Sequence, residues 1–156
     1  MSSCCGQHNR RGVTLVELAI VVLLMGIIAG IAAPKYASAL ASYRVDCAAG
    51  RIAADLRLAR DYAQKASQSE TVDFDAVGDS YAMSTMRDID RPAVVYAVSL
   101  AATQYAVDVA SANFEGVDAV QFDLHGRPNR SGSVVVQSGS KQRTIQVDKV
   151  GNVSIQ

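Results

Sequence analysis

Histidine and cysteine are nearly absent from this chain. Its 156 residues include two histidines and three cysteines, and two of the cysteines, Cys4 and Cys5, stand side by side near the start. Beyond residue 12 only His125 and Cys47 remain, so that part of the chain cannot build a zinc site of His and Cys ligands, and a Ser/His/Asp triad there would rest on His125 alone, in the turn-like run His125-Gly126-Arg127-Pro128. No Gly-x-Ser-x-Gly elbow, phosphate-cradling glycine-rich loop or His-Glu-x-x-His occurs. The chain reads as a non-enzyme with no metal and no cofactor. Aromatic residues stop at Phe122, so the segment beyond it has no ring on which a nucleic-acid base could stack. The formal net charge is zero.

Against these absences stands one long apolar run. From Leu18 to Ala33 no side chain is charged or strongly polar, and counting from Val13 gives 21 residues. As a helix that stretch reaches ~30 Å, the thickness of a bilayer core. A secretory signal has a shorter apolar region of ~7–15 residues followed by a cleavage site, whereas this run passes through Ala32-Ala33-Pro34-Lys35 into a second helical pattern. The positive charges Arg10 and Arg11 precede the run and only Lys35 follows closely, which orients the N-terminus to the cytoplasm. At the mouth of the run sits a carboxylate, Glu17. An ionised acid deep in hydrocarbon costs ~2.5–3.5 kcal/mol or more, so it needs a neutralising partner or must snorkel to the interface. Paired with an amine of another chain, it would fix axial register between packed helices.

The segment Gly12-Val13-Thr14-Leu15-Val16-Glu17-Leu18 resembles the prepilin processing signature of type IV pilins and type II secretion pseudopilins. In that family a basic leader ends in Gly, the first mature residue is apolar and the fifth is Glu. Gly26, Pro34 and Tyr36 also fall where such proteins often carry Gly, Pro and Tyr. The resemblance implies that a prepilin peptidase in the membrane cuts between Gly12 and Val13 and methylates the new amine. It implies that Glu17 pairs with the N-terminal amine of a neighbouring subunit, and that an inner-membrane assembly platform drives polymerisation. Val13 departs from the Phe most usual at the first mature position. Cutting after Gly12 would remove Arg10, Arg11, Cys4 and Cys5, leaving 13 basic against 15 acidic residues and Cys47 as the single thiol.

Beyond the span, Leu40, Tyr43, Cys47, Ile52, Leu56, Ala59, Ala63 and Ala66 recur mostly at three- and four-residue steps, while Arg44, Arg51, Arg57, Arg60 and Lys65 lie largely off that stripe. This predicts one helix from about Val13 to Ser67, kinked near Pro34, whose stripe covers a sheet. Near Thr71 the period changes. Strands are expected at 72–74, 81–83, 93–98, 105–109, 117–124, 133–137, 143–148 and 152–155, separated by Gly, Asp, Asn and Ser turns. The alanines between Ala93 and Ala112 would also suit a helix. The expected fold class is α+β and pilin-like, a long N-terminal helix packed on a small antiparallel β-sheet domain. Its segments would be a leader at 1–12, a transmembrane assembly helix at 13–34, its amphipathic continuation at 35–68 and an extracytoplasmic β-rich domain at 69–156. The runs 56–63, 120–128 and 145–151 are similar to minor pseudopilins of the H type and FimT-like minor pilins.

These observations predict a minor structural subunit of a type II secretion pseudopilus or type IV pilus. It would lie in the inner membrane as a single-pass protein before joining the filament, with membrane lipid and other pilin subunits as partners. Leu15 and Leu18 would pack on neighbouring helices, and Gly26 and Gly30 would permit close approach or local unwinding. Two other readings stay open. Ten acidic residues lie between Glu70 and Asp123 against Arg87 and Arg91, whereas Arg127, Arg130, Lys141, Arg143 and Lys149 later face only Asp148. A basic tail of this kind could hold DNA through its phosphates, making the chain a receptor in DNA uptake through Arg127, Arg130, Lys141 and Arg143. The chain could also be a generic anchored binding domain with an uncut leader. The acids Asp73, Asp75 and Asp79 do not have the spacing of a calcium loop, and Gly78-Asp79 is explained as a hairpin turn.

Overall fold

A computed structural model describes residues 13–101 and 105–156. Gly12 and the leader residues Arg10, Arg11, Cys4 and Cys5 lie outside the described residues. One helix, α1, runs Leu15–Ala66, and eight strands follow: β1 Glu70–Asp75, β2 Ser80–Arg87, β3 Val95–Ser99, β4 Asp108–Asn113, β5 Ala119–Phe122, β6 Gly132–Ser138, β7 Lys141–Val147 and β8 Val153–Ile155. The chain divides into two units, Met1–Ala37 and Ser38–Gln156.

In the first unit the helix begins at a recognisable cap. The Thr14 carbonyl accepts the Leu18 N–H at 3.1 Å, and the Thr14 hydroxyl accepts the Glu17 N–H at 3.2 Å. Thr14 and Glu17 thus stand at the N-cap and third helical positions, the spacing of a capping box, and a carboxylate in this first turn also favours the helix dipole. Pro34 lies inside the helix and leaves the Gly30 carbonyl without its usual donor.

In the second unit, Val45, Ala48, Ala49, Ile52, Ala53, Leu56, Ala59 and Ala63 of α1 are buried. This stripe differs from the expected one: Tyr43 is 67% exposed and Ala66 is also exposed. The covering begins only at Val45 and takes two adjacent residues per turn, so small alanines rather than Tyr43 meet the sheets. The helix closes on Ser67, at φ 52°, with the Gln68 N–H reaching the Ala63 carbonyl at 3.2 Å, the longer bond of a Schellman cap.

Two four-stranded antiparallel sheets supply the other side of the core, in the orders β3-β2-β1-β5 and β4-β6-β7-β8. Strand alternation puts Val72, Phe74, Tyr81, Met83, Val120 and Phe122 inward from the first, and Val134, Val136, Ile145 and Val147 inward from the second. Phe114, fully buried on the connection between the sheets, stacks on Phe74 at a centroid distance of 5.9 Å. The outward face of the first sheet carries mostly small side chains in one row. Asp73 pairs with Ala82 and Ala119, Ala82 with Ala97, and Thr71 with Gln121, so one row carries three alanines around a single carboxylate.

The expected strand at 105–109 is displaced to Asp108–Asn113. Ala106 takes a positive φ of 47°, and the strand starts where the Asp79 carboxylate accepts the Val109 N–H at 2.7 Å. The stretch expected at 117–124 contracts to Ala119–Phe122, because Glu115 and Gly116 form a turn with φ 54° and 96°.

Candidate assembly surface

Among the described residues nothing covers the apolar half of α1. Thirteen large hydrophobic side chains from Val13 to Ile31 are 43–83% exposed, Leu15 at 83% and Leu18 at 61% among them. Removing such side chains from water is worth about 1.5–3 kcal/mol each, so the uncovered stripe represents on the order of 20 kcal/mol. A Cβ built on Gly26 or Gly30 meets no atom within 4 Å, so no contact among the described residues requires glycine at either position. Glu17 lies exposed among these apolar groups.

The basic residues that would hold DNA do not gather. Lys141 and Arg143 stand beside the β6–β7 turn, where Ser138 pairs with Lys141. Arg127 and Arg130 precede Gly132, which pairs with Val147 at the opposite end of that ladder, about 20 Å away by the rise of seven strand residues. Arg143 is already engaged, its Nε lying 2.7 Å from the Asp46 carboxylate on α1.

Two loops of one design replace that grouping. Asp123-Leu124-His125-Gly126-Arg127 and Asp148-Lys149-Val150-Gly151-Asn152 each follow an apolar-Gln-apolar strand end. The Asp123 carboxylate accepts the N–H groups of His125 and Arg127 at 2.9 and 2.8 Å, and that of Asp148 accepts those of Val150 and Asn152 at 2.9 and 2.8 Å. Gly126 and Gly151 take φ of 76° and 86°. These backbone donors, led by Arg127 for Asp123 and by Asn152 for Asp148, hold both carboxyls below the usual carboxylate range. Both loops then meet one stretch of α1. Gln64 donates to the His125 carbonyl at 2.9 Å, Arg60 to the Gly151 carbonyl at 3.2 Å and Arg57 to the Val153 carbonyl at 2.7 Å. A Cβ on Gly151 would fall 2.5 Å from the Gly126 carbonyl oxygen, so the loops are also in contact with each other.

A buried polar cluster, not foreseen from the sequence, ties the helix to the first sheet. Asp55, 5% exposed, accepts the Tyr81 hydroxyl at 2.6 Å and the Tyr96 hydroxyl at 2.9 Å, and pairs with Arg51 Nε at 2.9 Å. Arg51 also donates to the Tyr96 hydroxyl. Burial first, then the Asp55 charge, pushes the Tyr81 hydroxyl well above the ordinary tyrosine range. The sequence held one signal for it, an acid inside the apolar stretch between Ile52 and Leu56 with an arginine four residues before it. Asp75 gives its carboxylate to the N–H groups of Val77 and Gly78, both at 2.9 Å, so Asp75 and Asp79 are turn and strand-start acceptors.

A family model described as "Type II transport protein GspH" matches residues 48–151, two thirds of the chain. The chain belongs to the GspH family. A second model, the prokaryotic N-terminal methylation motif, matches residues 7–33 and so spans Glu17 and the uncovered apolar helix. Together they make this GspH-family chain a minor subunit of the pseudopilin and pilin class carrying an N-methylation signal, in a family of structural rather than enzymatic proteins. No curated protein matches it. Two crystal structures of the type IV minor pilin FimU from Pseudomonas aeruginosa PAO1 are similar in fold at 13% identity. One, in space group P65, has a TM-score of 0.51 over 71% of this chain and 91% of that one; the other, in P21, has 0.52 over 72% and 87%.

Proposed function

We propose that this GspH-family subunit is made as a precursor, cut between Gly12 and Val13 and methylated on the Val13 amine by a prepilin peptidase. It waits in the inner membrane with its N-terminus in the cytoplasm and its β-rich domain outside. An assembly platform then moves it into a filament, where Leu15, Leu18 and their apolar neighbours pack on adjacent subunits. Lipid is as apolar as leucine, so area alone does not favour helix over lipid. Direction and register must come from Glu17 meeting the terminal amine of a neighbour, with Gly26 and Gly30 letting backbones approach and Pro34 supplying a local break in the helical bonding.

The observation that carries this reading is the membrane-length helix with no buried residue in its apolar window and a carboxylate in its first turn. Glu17→Ala is expected to remain in the membrane fraction and be lost from sheared filaments. Equal incorporation of Glu17→Ala and the parent would remove Glu17 from assembly. Glu17→Gln separates charge from capping: it keeps a polar side chain at the third helical position, and it too is expected to fail in incorporation.

A further inference from the structure

An open sheet ends in two strands whose outer N–H and C=O groups can accept a further strand, and proteins blunt such edges with charge, proline, bulges or a covering segment. The two sheets have four edges, β3, β5, β4 and β8, and three of them are blunted. On β5 the Gln121 N–H donates to the Asn129 side-chain oxygen at 3.0 Å, and the Gln121 carbonyl accepts the Asn129 N–H at 2.8 Å. On β4 the Asp79 carboxylate takes the Val109 N–H at 2.7 Å, and the pairing is irregular between Val109 and Ser111. On β8, three residues long, Arg57 donates to the Val153 carbonyl at 2.7 Å. The edge at β3 is different. From Ala93 to Ala101 the chain has no charged residue and no proline, and the extra residues of its irregular pairing lie on β2, between Ala82 and Arg87. The Leu100 N–H donates to the Asp79 carbonyl at 2.8 Å, and the Val94 carbonyl accepts the Asp88 N–H at 3.1 Å, while Val98 stands opposite Tyr81. Backbone groups of successive strand residues point to opposite sides, so positions 94, 98 and 100 turn theirs toward β2 and its ends. Those of Val95 and Ala97 therefore aim off the open edge, where no strand among the described residues pairs with them. Val94, Val95 and Ile89 add exposed apolar side chains beside it.

From this bare edge we infer that β3 receives an extended, uncharged segment of a different pilin-class subunit, which becomes a fifth strand of the first sheet. The inference rests on the reading of the chain as a minor filament subunit, whose neighbours are subunits of other kinds. An added strand supplies the N–H and C=O groups that Val95 and Ala97 lack on their outer side, and backbone bonds of this kind give affinity whatever the side chains. Side chains then select the segment. Opposite Val95 a β-branched residue pairs well, and Ala97 leaves room for a larger one. Ile89 and Val94 line the approach with apolar surface, so a charged side chain arriving there would be desolvated without a partner. Two copies meeting edge to edge would close as an isologous pair and use up the edge on themselves, leaving none for a neighbour of another kind.

Photo-crosslinking of the full-length protein in the cells that make it tests the contact. The benzophenone amino acid p-benzoylphenylalanine replaces Val95, filaments and envelopes are irradiated, and the adduct is digested and sequenced by mass spectrometry. The expected adduct joins position 95 to an uncharged, β-branched stretch of a different pilin-class subunit. Ala97→Pro removes an outward N–H without touching a bond to β2, and Ala97→Lys puts a charge on the edge. Each should lower the adduct at least tenfold while the near-ultraviolet circular dichroism of the purified variant matches the parent. Hydrogen exchange on the parent in detergent supplies a check that needs no variant: the Ala97 amide should exchange at least tenfold faster than that of Val98. Equal protection of the two amides means that the edge is already filled within the chain, and overturns the proposal. So do adducts formed only with a second copy or only with proteins outside the pilin class, and an adduct that both Ala97 variants leave unchanged. Protein found in filaments without the adduct removes the β3 contact alone, whereas failure of the subunit reading shows as absence of the chain from filaments.

Discussion

Replacing Asp55 by Ala removes the acceptor on which three side chains converge, and the structure lets the cost be apportioned. Tyr81 is 2% exposed, so its hydroxyl cannot recover a water partner. A hydrogen bond to a charged acceptor is worth about 1.5–3 kcal/mol, and a stranded buried donor costs about 1–3 kcal/mol. Arg51 is 42% exposed in its side chain, so its ion pair with Asp55 contributes at most about 1 kcal/mol after solvent screening, and the half-buried Tyr96 can give its hydroxyl proton to water. The loss should therefore be about 2–4 kcal/mol and reside mainly in Tyr81. At about 3–5 °C per kcal/mol for a unit of this size, the midpoint of thermal unfolding should fall by roughly 10–15 °C. The chain has no tryptophan and six tyrosines, so near-ultraviolet circular dichroism of the full-length protein in detergent reports directly on this cluster. The decisive comparison is Asp55→Ala against Asp55→Ala/Tyr81→Phe. Deleting the stranded hydroxyl should return part of the loss, making the double variant more stable than the single one. A single variant within about 3 °C of the parent, or a double variant no better than the single, refutes the argument.

Gly151→Ala should destabilise the domain by about 2 kcal/mol or more, because φ is 86° and the new methyl would press on the Gly126 carbonyl; chemical denaturation measures this, and Gly139→Ala, with open space around it at φ 59°, should cost less. Acid should weaken the fold in a defined window. The carboxyls of Asp88, Asp123 and Asp148 lie below their ordinary values, chiefly through the N–H groups of Asp90, Arg127 and Asn152. A folded value below the unfolded one means that their contribution is fully present above the unfolded value, near pH 4, and is lost as pH falls through the folded values. Midpoints recorded from pH 6 to pH 2 should therefore hold steady and then drop below about pH 4, and Asp148→Asn should soften that drop.

What the residues disclosed before any coordinates depends on how many arrangements each could satisfy. The span from Val13 to Ala33 has one reading, because bilayer thickness sets its length and no charge interrupts it. The strands around Val72 and Ile145 alternate strictly enough that their inward faces follow from the pattern, whereas the three consecutive valines from Val134 do not choose a face, and Ile155, which continues the alternation of Val153 in sequence, is exposed. Positions 45–66 were less determinate, because alanine tolerates either face; Tyr43 looked like a core residue until packing was seen to begin at Val45. The alanines near Ala110 hid the start of β4 for the same reason. Arg143 reads as a free basic residue in sequence, and only the meeting of β7 with α1 pairs it with Asp46. The Asp-x-x-Gly repeat at 123–126 and 148–151 is visible in the letters, yet its sense lies in three-dimensional contact, where both loops seat on Arg60 and Gln64.

The central claim is that the apolar helix, freed at Val13, is the surface through which copies join, with Glu17 as its charged marker. Mass spectrometry of the N-terminal peptide from protein isolated from cell envelopes tests it most directly. The account predicts a peptide that begins at Val13 and is one methyl group heavier than its sequence. A population that begins only upstream of Gly12, with no shortened form in membrane or filament fractions, would contradict it.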